Sequence, residues 1–384
     1  MSDVAKRAGV HVTSVSLALR NHPSLPPTTR ARLCRLAEKM GYRPDPALSA
    51  LVAYRHRARM AKDQPTLAYV TNWDTQWGWR DHVAAHRMFF EGATAKAALL
   101  GYRLEHFWLG ERGLTPRRLS DILAARGITG VILASHRLAA DVPLEFDWPR
   151  LSAVKIDFFP REPAMHNVTN DQRAVIQLAV RRAREAGYAR IGLVMPTWWD
   201  EIVDLAWSAG FLAAQQAVPV ARRVPILIYD DPGRECLVPR SLLAGWLRRH
   251  RPEAIVSYQP FVRPQLAALG VAVPQDVAFA DIFLTETDGR TAGVRQNCHR
   301  VGEQAVEILA GQLHQNILGL PTIPISTLVE GSWFDGASLP SRPAADTGPA
   351  GGAGRSKGRV PARKKRAAKI TVRSSSLKNG HPAV

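Results

Sequence analysis

The chain has 384 residues, 46% of them hydrophobic, enough for a packed core in two or three domains, and a formal net charge of +18. It contains no apolar run of about 18 residues or more, which argues against a membrane-spanning helix. Its N-terminus is charged and helix-periodic, without the apolar stretch of an export signal, and its three cysteines (Cys34, Cys236, Cys298) form no CxxC pair, which fits a reducing compartment and argues against structural zinc.

The first helix is expected from about Asp3 to Ala8, with Ser2 or Asp3 available as its cap. Gly9 supplies a tight turn, and a second helix follows from about Val12 to Leu19, where Val12, Val15 and Leu19 recur at helical spacing. A third starts near Pro27, buries Leu33, Leu36, Ala37 and Met40, and ends at Gly41. Three short amphipathic helices around a glycine turn fit a DNA-binding helix-turn-helix, and equally an ordinary three-helix bundle. Charge favours the first: residues 1–62 hold 12 Lys/Arg against 3 Asp/Glu. The segment "RPDPALSALVAYRHRAR" after Tyr42 is a poor helix in isolation because of Pro44 and Pro46.

Residues 63–340 are almost neutral, with 28 basic against 29 acidic residues. Strands are expected at 66–73, 102–109, 130–135, 190–196, 225–229, 254–258 and 277–283, with helical patterns at 86–100, 172–187 and 201–217 between them. That alternation specifies parallel sheets with helices on both faces, and two such halves in tandem enclose a cleft. Aromatic residues follow two of the strands: "TNWDTQWGW" carries Trp73, Asp74, Trp77 and Trp79, and "PTWWDE" carries Trp198, Trp199 and Asp200. Such rings can stack on the C–H face of a sugar or on an aromatic ligand, or serve as core and interface. No GxxxxGK[ST], HExxH, GxSxG or GxGxxG occurs, so neither an enzyme nor a cofactor or metal site is expected. Residues 341–384 hold 11 basic residues against 1 acidic one, are rich in Gly, Ala and Ser, and lack leucine heptads. We expect a disordered basic tail that binds DNA nonspecifically, and a dimer rather than a tetramer.

"DVAKRAGV", "TSVSLALRN", "TTRARLCRLAEKMGYRPDP" and "LSAL" resemble, in order and spacing, the headpiece of the LacI (lactose repressor) family of bacterial transcription regulators. "FFEGATAKAALLGYRL", "GITGVILAS", "AREAGYARIGLVMP", "GFLAAQQ" and "VEGSWFDGASL" extend the likeness to about residue 340. The resemblance implies an all-α helix-turn-helix headpiece (1–43), a hinge (44–62), a bilobed α/β periplasmic-binding-protein-like domain (63–340) that the chain crosses near 160, 290 and 322, and the basic tail (341–384).

It further implies that the second helix lies in the major groove of a pseudo-palindromic double-stranded operator, with Val12 and Thr13 at the leading base-reading positions. Ser14, Ser16, Asn21, Thr29 and Arg30 then match phosphate-contacting or packing positions. Leu51 matches a lever wedged into a minor-groove step, with Arg55 close behind. The pattern is broken where His11 replaces the usual Ser cap, Leu17 the usual Arg and Asp45 the usual Asn, and the chain starts about three residues late. In the body, Trp207 aligns with an arginine that grips ligand hydroxyls, and Asp281 with an acidic cleft residue. Trp73, Asp74, Trp77, Trp198, Trp207 and Asp281 are thus the candidate effector contacts.

The expected function is a cytoplasmic, homodimeric, sequence-specific repressor controlled by a small molecule such as a sugar. The rival reading is an architectural DNA-binding protein with a vestigial ligand domain. A transport protein is disfavoured by the lack of an export signal.

Overall fold

The computed structural model describes residues 1–19, 24–42, 64–137, 144–233 and 235–342. The expected hinge, with Leu51 and Arg55, lies outside them, as do Asn21 and the tail beyond Arg342.

Helices α1 (Ser2–Ala8), α2 (Val12–Leu19) and α3 (Pro27–Lys39) close on a core of Val4, Ala5, Val15, Ala18, Leu33 and Ala37. Gly9 takes φ 65°, a left-handed conformation that glycine adopts without Cβ strain, and ends α1 by returning its N–H to that helix. Two expectations are corrected. Neither Ser2 nor Asp3 caps α1 with its side chain, because the helix already begins at Ser2. Met40 is 41% exposed, because it stands at the C-cap, where the helical register that buries Leu33 and Ala37 has ended.

The first lobe holds strands β1 (Thr66–Asn72), β2 (Arg103–Trp108), β3 (Gly130–His136), β4 (Ser152–Ile156) and β5 (Asn167–Asn170). It also holds helices α4 (Gly78–His82), α5 (Ala84–Leu99) and α6 (Pro116–Ala125). In the second are α7 (Gln172–Glu185), β6 (Ile191–Pro196), α8 (Thr197–Ile202), α9 (Ala206–Gln215), β7 (Leu227–Tyr229) and α10 (Arg240–His250). They are followed by β8 (Ala254–Ser257), α11 (Gln259–Ala268), β9 (Ala278–Asp281) and β10 (Ala292–Arg295). The chain then returns through α12 (Cys298–His314) and β11 (Ser326–Val329) to the first sheet, and ends in the second with β12 (Ser332–Phe334).

The sheets have the same order, β11-β5-β4-β3-β1-β2 and β12-β10-β9-β8-β6-β7, so the lobes repeat one topology. Every pairing among the described strands is parallel except β10 with β12. Strands such as β3 and β6 are buried along their whole length, as expected for strands covered on both faces. The crossings fall after Asn170, Arg295 and Val329, each later than expected, because β5, β10 and β11 are four-residue strands without a sustained apolar run. The single helix expected at 201–217 is two, separated by Asp204 and Leu205 at φ 56° and 59°. The buried Asp200 carboxylate accepts the Ser208 N–H at 3.1 Å and so tethers α9 across the break.

Helices α5 and α12 approach backbone to backbone because glycines face each other's main chains. A Cβ at Gly302 would overlap the Phe89 carbonyl oxygen and stand 2.7 Å from the Ala93 nitrogen. Gly302→Ala should therefore force the helices apart and lower stability by about 1–3 kcal/mol. Thermal unfolding checks this, and an unchanged midpoint would refute the close approach.

Candidate functional site

Two regions bring the expected residues together: the outer face of α2, and the crevice where the strand ends of the two lobes meet.

At about 100° per residue, burying Val15 and Ala18 turns Thr13, Ser16 and Leu17 to the opposite side of α2, while Val12, one turn before Val15, is left uncovered at the helix start. Val12 is 38% exposed, Thr13 is exposed, and Ser14, Ser16 and Leu17 are half-buried, as are Thr29 and Arg30 in the first turn of α3. Leu17 lies one turn beyond Thr13 on that face. His11 takes over the capping role of the usual serine. Its Nδ1 accepts the Thr13 N–H at 3.3 Å and lies 2.9 Å from the Thr13 hydroxyl. The exposed face of this helix thus offers methyl groups and hydroxyls, and none of its four outward residues is charged.

The crevice has an apolar floor. Tyr258, at the end of β8, packs against the cores of both lobes, and its ring meets that of Phe283 edge-on at 5.7 Å. Trp199 stacks on Tyr258 at 5.4 Å and meets Phe261 edge-on at 4.8 Å. Trp198 donates its indole N–H to Asp231 at 3.1 Å. In the first lobe, Trp73 packs edge-on against His86 and lies beneath the Arg137 guanidinium, which pairs with the exposed Asp74. Trp77 is half-buried between His106 and Arg80. Trp79 is fully buried and donates to the Gln76 carbonyl, an internal role.

Trp207 stands apart. It is 1% exposed, and its indole N–H is donated to Gln172 Oε1 at 2.8 Å. Gln172 in turn donates to Gln296 (2.9 Å), which donates to the Ile282 carbonyl (3.0 Å). Gln172 and Gln296 belong to the first and second crossings, so the buried Trp207 ring is tied to both crossing segments.

The repeated topology also places one carboxyl at the same point in each lobe: Asp157 directly after β4, and Asp281 at the end of β9. Asp281 is 4% exposed, and burial pushes it up to about 7. The Phe283, Gln259 and Ile282 N–H groups and the Arg263 charge pull the other way. Asp157 sits at φ 73°, in the left-handed region where a non-glycine residue is strained. Burial pushes it up to about 6, against the Thr169 hydroxyl at 2.8 Å, the Phe158 N–H and the Lys155 charge.

Among the described residues, His136 Nε2 at the end of β3 and Asn170 Nδ2 at the end of β5 are buried without a partner, and the buried Tyr69 hydroxyl, from the middle of β1, faces that of Ser135. Burial pushes His136 down to about 4, and its Nδ1–H donates to the Ala134 carbonyl, which leaves Nε2 as an acceptor. This set offers both donors and acceptors to a polyhydroxylated molecule. Sequence reasoning missed Asp157, His136 and the two glutamines. The apolar run "LSAVKID" was the available signal for the first. For the others the order of the strands is needed.

Among the described residues no cluster of His, Cys, Asp and Glu suited to a metal ion occurs, and no helix is long and apolar enough to cross a membrane. Residues 1–45 match the family model described as bacterial regulatory proteins, lacI family. No match is found among curated proteins. Among solved structures, the chain is similar to a transcriptional regulator CelR–cellobiose complex (TM-score 0.52, 19% identity, 87% of this chain and 98% of that one). It is similar to the Lac repressor bound to ONPG in the repressed state (0.52, 16%, 88% and 98%). A transcription regulator like protein from Staphylococcus haemolyticus also matches (0.53, 12%, 73% and 100%). At these identities the likeness is one of fold.

Proposed function

We propose, for a chain whose first 45 residues match the model of the lacI family of bacterial regulatory proteins and whose body has the bilobed fold of solved regulators, that it is a dimeric repressor whose hold on an operator is set by a small polyhydroxylated effector in the crevice. The observation that carries the DNA reading is the outward set Val12, Thr13, Ser16 and Leu17 on a capped α2, inside the segment that matches the family model. Asp157 and Asp281 at equivalent strand ends of the two lobes, the unpartnered His136 and Asn170 atoms of the first lobe and the aromatic floor support a sugar-like effector. Cellobiose is the molecule held by one structural neighbour. Effector control requires the two lobe arrangements to differ in affinity for the molecule. The crossing amides Gln172 and Gln296 are placed to register that difference.

Leu17 sets the expected readout. An arginine there could donate two hydrogen bonds to guanine O6 and N7, whereas leucine can only pack against a thymine methyl. Selection from a randomised duplex library should yield half-sites that tolerate any base pair facing residue 17. Leu17→Arg should create a guanine preference there of about 1–3 kcal/mol without unfolding the headpiece. A G·C pair already fixed at that position by the unsubstituted protein would overturn the placement of α2 on DNA. Binding without any recoverable motif would favour the architectural reading.

A further inference from the structure

The charge of the second lobe is segregated in a way its near-neutral total hides. All strands of that sheet except β12 run toward the crevice, so the starts of β6, β8 and β9 and the ends of α7 and α10 lie at the opposite pole. Arg190, just before β6, ties this pole together: it donates to the carbonyls of Ala221, His250 and Arg251. The turn at Val220–Arg222 and the end of α10 are therefore neighbours across a single guanidinium.

Around that bridge Arg222, Arg248, Arg249 and Arg251 are exposed, and none has a carboxylate within ion-pairing distance among the described residues. The nearby acids are already engaged. Glu253 accepts the Ala189 and Arg190 N–H groups and pairs with Arg342 at 2.8 Å, and Glu185 pairs with Arg182.

Arginines at a helix C-terminus often do no more than offset its negative end. Here that role is filled, since Arg190 already occupies the last carbonyls of α10. Four further exposed guanidinium groups on one pole leave a concentrated positive field, suited to a polyanion. The described chain also ends at this pole. Arg342 lies over the Tyr188 ring at 4.3 Å and donates its N–H to Ala186, and the sequence continues from it with ten more basic residues and one acidic one. Val220 is the one large apolar side chain exposed within that turn, too little to anchor in a lipid layer.

We propose that this pole is a second nucleic-acid surface that binds the phosphate backbone of a DNA duplex other than the one held by the headpiece. The protein would then join two DNA segments without forming a tetramer. Guanidinium groups recognise phosphate by charge and paired N–H donors without reading sequence, so the second segment is bound irrespective of sequence.

The test uses the full-length chain bound to an immobilised duplex, then offered a labelled duplex of random sequence. The parent should capture the second duplex. A variant with Arg222, Arg248, Arg249 and Arg251 all replaced by Ser should lose that capture by at least about tenfold. Its slope of log affinity against log salt should be shallower by about 3–4, since each lost phosphate contact removes about 0.9. Replacing the same four by Lys should restore capture, because the charge is retained, and this controls for folding. Capture by the Ser variant equal to the parent's would overturn the proposal, as would a Lys variant that fails alongside the Ser one. It would also fall if phosphatidylserine vesicles, and not DNA, distinguished the parent from the Ser variant.

Discussion

Trp207→Ala should lower the stability of the second lobe by about 3–5 kcal/mol, the cost of emptying a large buried aromatic site. Trp207 is among the largest fully buried side chains, packed 5.2 Å from the Trp199 ring. Its removal also strips Gln172 Oε1 of its donor at the first crossing. The sequence expectation was different: a ligand contact whose loss silences the effector and leaves the rest intact. The two views separate in denaturant unfolding. If Trp207→Ala unfolds at the parent's midpoint while losing its ligand response, the ring belongs to the cleft wall after all. Trp207→Phe, which keeps most of the packing and loses the indole N–H, should fold and retain a ligand response.

Asp281→Asn should stabilise the protein in neutral and alkaline solution and do little in acid. Burial holds the folded-state carboxyl at about 7, above its ordinary value, so the native state favours the protonated form. The stability tied to that proton is fully present below the ordinary carboxylate range and is lost as pH rises through about 7. Asparagine carries no charge to bury, and its carbonyl can still accept the Phe283 N–H that Asp281 accepts at 2.8 Å. The gain should be greater at pH 8 than at pH 5 by on the order of 2–3 kcal/mol. The half-buried His86 and the buried His136, both pushed down to about 4, act in the other direction. They cost stability as pH falls, in parent and variant alike, so the difference between the two chains isolates Asp281. Melting curves at the two pH values decide it, and a gain that does not vary with pH would mean the carboxyl is already ionised. If Asp281 accepts from an effector hydroxyl, the same variant should bind that effector less tightly.

These outcomes mark where local pattern suffices. The three headpiece helices, β1, β3, β6 and β8, and the α/β class were legible because each is set by neighbours in sequence: a glycine turn, a proline start, a buried apolar run. Helical periodicity also opposes Thr13 and Leu17 to Val15 and Ala18, so the outward face of α2 was legible in the same way, whereas its expected role on DNA came from the family resemblance. The crossings were not legible. β5 reads "NVTN" and β11 "STLV", segments that become strands only because a partner strand supplies their hydrogen bonds.

Nor could spacing reveal that Trp207, Gln172 and Gln296 form one chain of hydrogen bonds, or that Asp157 and Asp281 occupy equivalent ends of repeated sheets. Those residues are 35 to 124 positions apart in the first case. What brings them together is the order of strands. The basic pole shows the same division. The sequence by itself determined that both ends of the chain are basic and the middle neutral. Only the packing of α10 against the start of β6 decided that four arginines of the neutral middle share one surface, because a helix that returns antiparallel to its strand delivers its C-terminus to the end opposite the crevice.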